Sequence, residues 1–156
     1  MPEAKRILIY AYGNPGRQDD GLGNALVAAL EPWLQEKGVD HVEVDSNFQL
    51  NIEDAENIRH REVVVFVDAS VEDIGAYHFG RVEPSAGRSE FTFHAASPAY
   101  ILALCKKLYD RHPATYLLQI RGYEWDFREG LSPRAAENLQ EALDFLRRKI
   151  ETGDWN

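Results

Sequence analysis

The sequence predicts an α/β protein: a three-layer sandwich with a single, mostly parallel five-stranded sheet and helices on both faces. Three observations carry this. Short β-branched runs alternate with segments of helical apolar spacing along the chain. The run Glu62-Val63-Val64-Val65-Phe66-Val67 is apolar in continuity, as in a parallel strand buried on both faces. Two Ser-Pro pairs, Ser97-Pro98 and Ser132-Pro133, place an N-capping hydroxyl beside a proline at the first helical position.

The elements follow in order. Residues 6–12 read as the first strand, and Leu22, Ala25, Leu26, Ala29, Leu30, Trp33 and Leu34 give helical spacing over residues 21–37. Pro32 lies inside that helix and is expected to kink it or make it restart, because proline removes a backbone bond. Gly38 closes it. Residues 42–45 read as a short strand, 50–58 as a short acidic helix, and 62–67 as the buried strand. Residues 77–82 and 91–94 are candidate strands around a loop, 83–89, that holds Pro84 and Gly87. The helix after Ser97-Pro98 carries Ile101, Leu102, Cys105, Leu108 and Tyr109 and stops before Pro113. Residues 115–120 form another strand and 122–130 a polar, aromatic loop. The final helix places Leu139, Ala142, Leu143, Leu146 and Ile150 on one face.

Bulk properties narrow the function. A chain of 156 residues, 44% apolar, is expected to be one domain, residues 1–156. Acids outnumber bases 26 to 17, for a net charge of -9, which argues against nucleic-acid binding. The lone cysteine, Cys105, excludes an internal disulfide and any Cys/His metal spacing, and falls on an apolar helix face. No apolar run approaches the ~20 residues of a membrane span. The N-terminal residues lack a signal-peptide layout, so the expected location is the cytoplasm.

The chemistry gathers at Gly13-Asn14-Pro15-Gly16-Arg17-Gln18-Asp19-Asp20-Gly21-Leu22-Gly23, a strand-to-helix turn with two adjacent acids. Such turns lie at the ligand-binding edge of open α/β sheets. Carboxylates there repel phosphate and welcome a cation; the plain alternative is helix capping. Asp68 ends the Val63–Val67 run, where a parallel strand delivers side chains to the same edge; the plain alternative is a turn acid. His94, ahead of Ser97-Pro98, could complete a two-carboxylate, one-histidine metal site, or be an ordinary surface histidine. His41, His60, His78 and His112 lie in polar surroundings. There is no Gly-x-Ser-x-Gly elbow, His-Glu-x-x-His pair or Walker loop.

The first motif, Val67-Asp68-Ala69, a histidine ahead of a Ser-Pro helix, and Gly130-Leu131-Ser132-Pro133 occur in that order. This resembles the hydrogenase maturation endopeptidases over about residues 6–150. The resemblance implies an enzyme that trims the C-terminal extension from the large-subunit precursor of a nickel–iron hydrogenase after nickel insertion. The family's metal-contacting positions map to Asp20, Asp68 and His94, with Asp20 and Asp68 as the catalytic candidates. Nickel is then carried by the substrate, with cadmium or zinc as a surrogate in a crystal, and the enzyme is a monomer. The family's Asp-Gly-Gly-Thr turn is replaced by Asp45-Ser46-Asn47-Phe48-Gln49-Leu50. With Ile120-Arg121-Gly122-Tyr123, that looks like the branch serving soluble, NAD-reducing or bidirectional hydrogenases. The resemblance leaves open whether the metal or an aspartate pair hydrolyses the peptide. Two rivals are a non-catalytic metal-sensing maturation chaperone and a nucleotide-binding domain; Asp19-Asp20 opposes the latter.

Overall fold

The structure, a computed structural model, describes residues 4–85 and 96–156. The strand expected at 91–94, and His94 with it, lie outside the described residues. In chain order the elements are β1 (Ile7–Tyr12), a 3-10 turn (Pro15–Gly21), α1 (Leu22–Glu36), β2 (Val42–Asn47), α2 (Asp54–Ile58), β3 (Val63–Ser70), β4 (Tyr77–Val82), α3 (Pro98–Tyr109), β5 (Ala114–Arg121) and α4 (Pro133–Thr152). The five strands form one sheet in the order β2-β1-β3-β5-β4. All neighbours are parallel except β4, which runs antiparallel to β5.

Strand alternation sends successive side chains to opposite faces of the sheet. Ile7, Ile9 and Ala11 of β1 and Val63, Val65 and Val67 of β3 share a core with Leu22, Leu26 and Leu30 of α1 and Leu143, Leu146 and Ile150 of α4. Leu8, Tyr10, Val64 and Phe66 share the other core with Ala55 and Ile58 of α2 and Ile101, Leu102 and Cys105 of α3. The unbroken apolar run is thereby explained: each residue from Val63 to Val67 has an apolar layer to enter. Cys105 is a fully buried, free thiol, and burial pushes its pKa up.

Several boundaries differ from the sequence reading. β3 continues past Val67 to Ser70 because β5 offers partners that far, pairing Asp68 with Gln119 and Ser70 with Arg121. Asp68 thus stands inside a strand. β2 likewise runs on to Asn47 beside Tyr12. α2 is shorter than 50–58: the Asp54 carboxylate accepts the Asn51 N–H at 2.8 Å, making a turn ahead of the helix. α1 runs through Pro32 without restarting. Pro32 and Ala28, whose carbonyl it leaves without an intrahelical donor, are both exposed to water. Leu108, expected on the buried face of α3, is 60% exposed. Both Ser-Pro starts are as expected: Ser97 Oγ accepts from Tyr100 N and Ser132 Oγ from Ala135 N.

The connections leave the sheet centre in opposite directions. From β1 the chain passes to β2 on one side; from β3 it passes toward β4 on the other. Adjacent strands whose exits diverge leave a crevice beyond their C-terminal ends.

Candidate functional site

Asp20 and Asp68 both belong to that crevice. β1 and β3 pair directly, Ala11 opposite Val67, so the turn after β1 and the end of β3 are neighbours. Glycines make the approach close. Gly13 has φ +151°, and a β-carbon there would overlap the Asp20 carbonyl oxygen. A β-carbon at Gly23 would lie 2.7 Å from the Val67 carbonyl oxygen, so the start of α1 is seated directly on β3. The Asn14 N–H donates to Asp20 Oδ2 at 2.9 Å.

The electrostatics single out Asp68. Its pKa is raised from 3.8 to about 7: burial is the main cause, the neighbouring Asp20 charge adds to it, and the Ala69 N–H and the Tyr12 hydroxyl, which donate to it, pull the other way. Tyr12 itself is held well above its ordinary value by burial, then by the Asp68 charge. A carboxyl poised near neutrality beside a second carboxyl suits proton transfer, and it suits exchange of a proton for a cation. Among the described residues, no three His, Cys, Asp or Glu side chains converge as a metal cluster. The third expected ligand, His94, is outside them. His60, His78 and His112 are exposed, as their polar surroundings imply.

Asp19 does something different from the sequence reading of the acid pair. Neither acid caps α1, whose N-cap is Gly21, without a side-chain cap. Asp19 is 0% exposed and points into the loop between β5 and α4. Its Oδ2 accepts from Tyr123 N at 2.7 Å, Glu124 N at 3.0 Å and Ser132 Oγ at 2.6 Å, and its Oδ1 from Ser132 N at 2.8 Å. Burial alone would raise this carboxyl; the Ser132, Tyr123 and Glu124 donors outweigh it and hold the pKa below 3.8. Asp19 is thus committed elsewhere, which leaves Asp20 as the candidate of the pair for a cation. Nothing in the two consecutive aspartates themselves separates them. Gly122, just past a buried strand, was the available signal, since a β-carbon there would come within 2.7 Å of Asp19 Cβ.

Apolar side chains rim the same sheet edge. Phe48 follows β2, Val71 follows β3 and Phe127 lies in the loop after β5; they are 68%, 67% and 86% exposed. Asp45, where the resemblance expects a glycine-rich turn, is exposed and caps Ser46 N at 2.8 Å.

Fold and site together define a class: an open α/β domain with a carboxyl pair at its switch-point crevice. No protein-family model and no curated protein matches the sequence. Solved structures do match. The chain is similar to the [NiFe] hydrogenase maturation protease HycI from Thermococcus kodakarensis KOD1, with 18% identity and a TM-score of 0.74 over 94% of this chain and 93% of that one. It is similar to the hydrogenase maturating endopeptidase HybD from E. coli, with 21% identity and a TM-score of 0.71 over 95% and 94%. It also matches the hydrogenase 2 maturation peptidase from Thaumarchaeota archaeon SCGC_AB-539-E09, with 18% identity and a TM-score of 0.67 over 94% and 98%. The chain shares the fold of these proteins over nearly its whole length.

Proposed function

We propose that this protein is a hydrogenase maturation endopeptidase, which removes the C-terminal extension of a nickel–iron hydrogenase large-subunit precursor after nickel insertion. The observation that carries the reading is the Asp68 carboxyl, raised to about 7 beside Asp20 in the crevice of a fold shared with such peptidases. The exposed Phe48, Val71 and Phe127 around that edge favour a polypeptide substrate over a small polar one.

The nickel ion is the substrate's own. Two carboxylates are hard donors, able to touch a divalent cation without displacing the thiolates that hold it. His94 is proposed as the third contact. An arriving cation opposes both effects that keep the Asp68 proton on, so inspection of the metal and deprotonation of Asp68 are one event. Hydrolysis needs a proton taken from water and a proton delivered to the leaving amine nitrogen. With both carboxyls ionised, the one that takes the proton from water hands that same proton to the leaving nitrogen, so a single carboxylate of the Asp20–Asp68 pair serves both steps in turn. Asp45–Leu50 and Ile120–Tyr123 support a substrate from the soluble, NAD-reducing or bidirectional hydrogenases. A monomer working in the cytoplasm fits the reading, and among the described residues no helix is long and apolar enough to cross a membrane.

The test mixes metal-free protein with precursor made with and without nickel, and follows the large subunit on a gel. The expected result is cleavage of the nickel-loaded form alone, lost by at least ~100-fold in Asp20→Asn and Asp68→Asn, with thermal unfolding as the folding control. Equal cleavage of both precursors would remove nickel as the signal. Selective binding of the loaded precursor without cleavage would instead identify a metal-sensing chaperone.

A further inference from the structure

We infer that Asp19 is a positioning residue for Asp20, acting by clasping the turn after β1 to the loop between β5 and α4. Its catalytic consequence rests on the peptidase reading; its geometry does not.

The turn's own bonds, Gly16 N to Asn14 Oδ1 at 2.8 Å and Arg17 N to Asn14 O at 3.0 Å, lie ahead of its strained residue. Gln18 has φ 46° and ψ −115°, a backbone region that favours glycine and strains any residue with a β-carbon. Such a conformation persists only where its surroundings impose it. Here they come from one loop. Gln18 N donates to Arg128 O at 2.9 Å, and its Oε1 accepts from Asp126 N at 3.0 Å. Asp19 N donates to Glu124 O at 3.0 Å, while its carboxylate takes the four bonds from Tyr123, Glu124 and Ser132. Asp19 therefore has no part of its carboxylate left for the crevice. It is joined to Asp20 by a single peptide bond. Fixing Asp19 against the loop fixes where the next side chain emerges, and the Asn14 N–H receives that side chain from the other end of the turn. Without the clasp, Gln18 relaxes to an ordinary conformation and Asp20 leaves its place beside Asp68.

The Asn14 amide reports this directly, since its partner is the Asp20 carboxylate. The experiment measures its chemical shift and hydrogen exchange by NMR in the free protein. The kcat and KM for cleavage of nickel-loaded precursor are measured beside it. Variants are Asp19→Asn, Ser132→Ala, the hydroxyl-retaining Ser132→Thr, and Thr115→Val. The last removes a buried hydroxyl, which bonds Pro113 O at 2.9 Å, at the far edge of the sheet. In Asp19→Asn and Ser132→Ala, Asn14 protection is expected to fall about 10-fold. The kcat should drop about 10–100-fold with KM within about 2-fold, the scale of a ~1 Å misplacement. Ser132→Thr is expected to restore both, and Thr115→Val to move neither. An unchanged Asn14 amide in folded Asp19→Asn or Ser132→Ala overturns the inference, as does an equal kcat loss in Thr115→Val. If Asp19→Asn does not fold, Ser132→Ala decides. If the wild-type protein cleaves no precursor, the peptidase reading falls and the Asn14 amide still decides the positioning role.

Discussion

Asp19 and Asp68 show how far environment separates identical side chains. Asp19 is buried and Asp68 half-buried, yet four donors hold the first below its ordinary pKa while burial and a like charge lift the second to about 7. The stability consequences have opposite signs. Asp68 binds its proton more tightly folded than unfolded, so its contribution is complete below about pH 4 and is lost as pH rises through about 7. In metal-free protein, Asp68→Asn is therefore expected to gain about 1–3 kcal/mol relative to wild type between pH 5 and pH 8. Thermal unfolding at the two pH values checks this; a difference that does not change with pH would contradict the burial of the Asp68 charge. For Asp19 the contribution is present above pH 3.8 and is lost as pH falls through the lower folded value. At this scale the sequence marked Asp20 as an acid in the turn after the first strand and Asp68 as the acid that follows the valine run. The division of labour between Asp19 and Asp20 was not legible there, because it depends on a loop about 100 residues away.

Elements were legible where local chemistry decides them. Ser97-Pro98 and Ser132-Pro133 start helices because capping hydroxyl and proline ring act within one turn. Strand ends were less so, since β2 and β3 run as far as their neighbours pair with them. α1 allows two tests of element-scale forces. At Gly23, alanine would favour the helix by up to about 1 kcal/mol, but its methyl would meet the Val67 carbonyl at 2.7 Å. Backbone cannot yield as a side chain can, so Gly23→Ala is expected to destabilise by about 1–3 kcal/mol, read from urea unfolding, and to weaken processing. Pro32→Ala is expected to stabilise by about 1–2 kcal/mol. It restores a donor for Ala28, a gain that exceeds the lost rigidity of the unfolded chain. A lower denaturation midpoint in that variant would mean that proline's missing bond costs this helix nothing.

Across the whole molecule, the last helix is followed by a residue that no periodicity assigns. Trp155 is 5% exposed and stands 6.2 Å from the Tyr116 ring, closing the core under β5. Trp155→Ala is expected to cost about 3–5 kcal/mol, a large share of a typical 5–15 kcal/mol total, and to lower the urea midpoint accordingly. The sequence by itself determined the α/β class, the doubly apolar centre of the sheet and the turn that carries Asp20. Each is written in residues adjacent in the chain, where periodicity, capping and turn chemistry operate. Only the tertiary structure decided that the exits of β1 and β3 diverge, that β4 is antiparallel, and that burial, with the Asp20 charge adding to it, raises Asp68. It also decided that Asp19 serves the loop before α4. These depend on strand order and side-chain direction, which are set by how two apolar cores close on opposite faces of one sheet, and no local pattern records that.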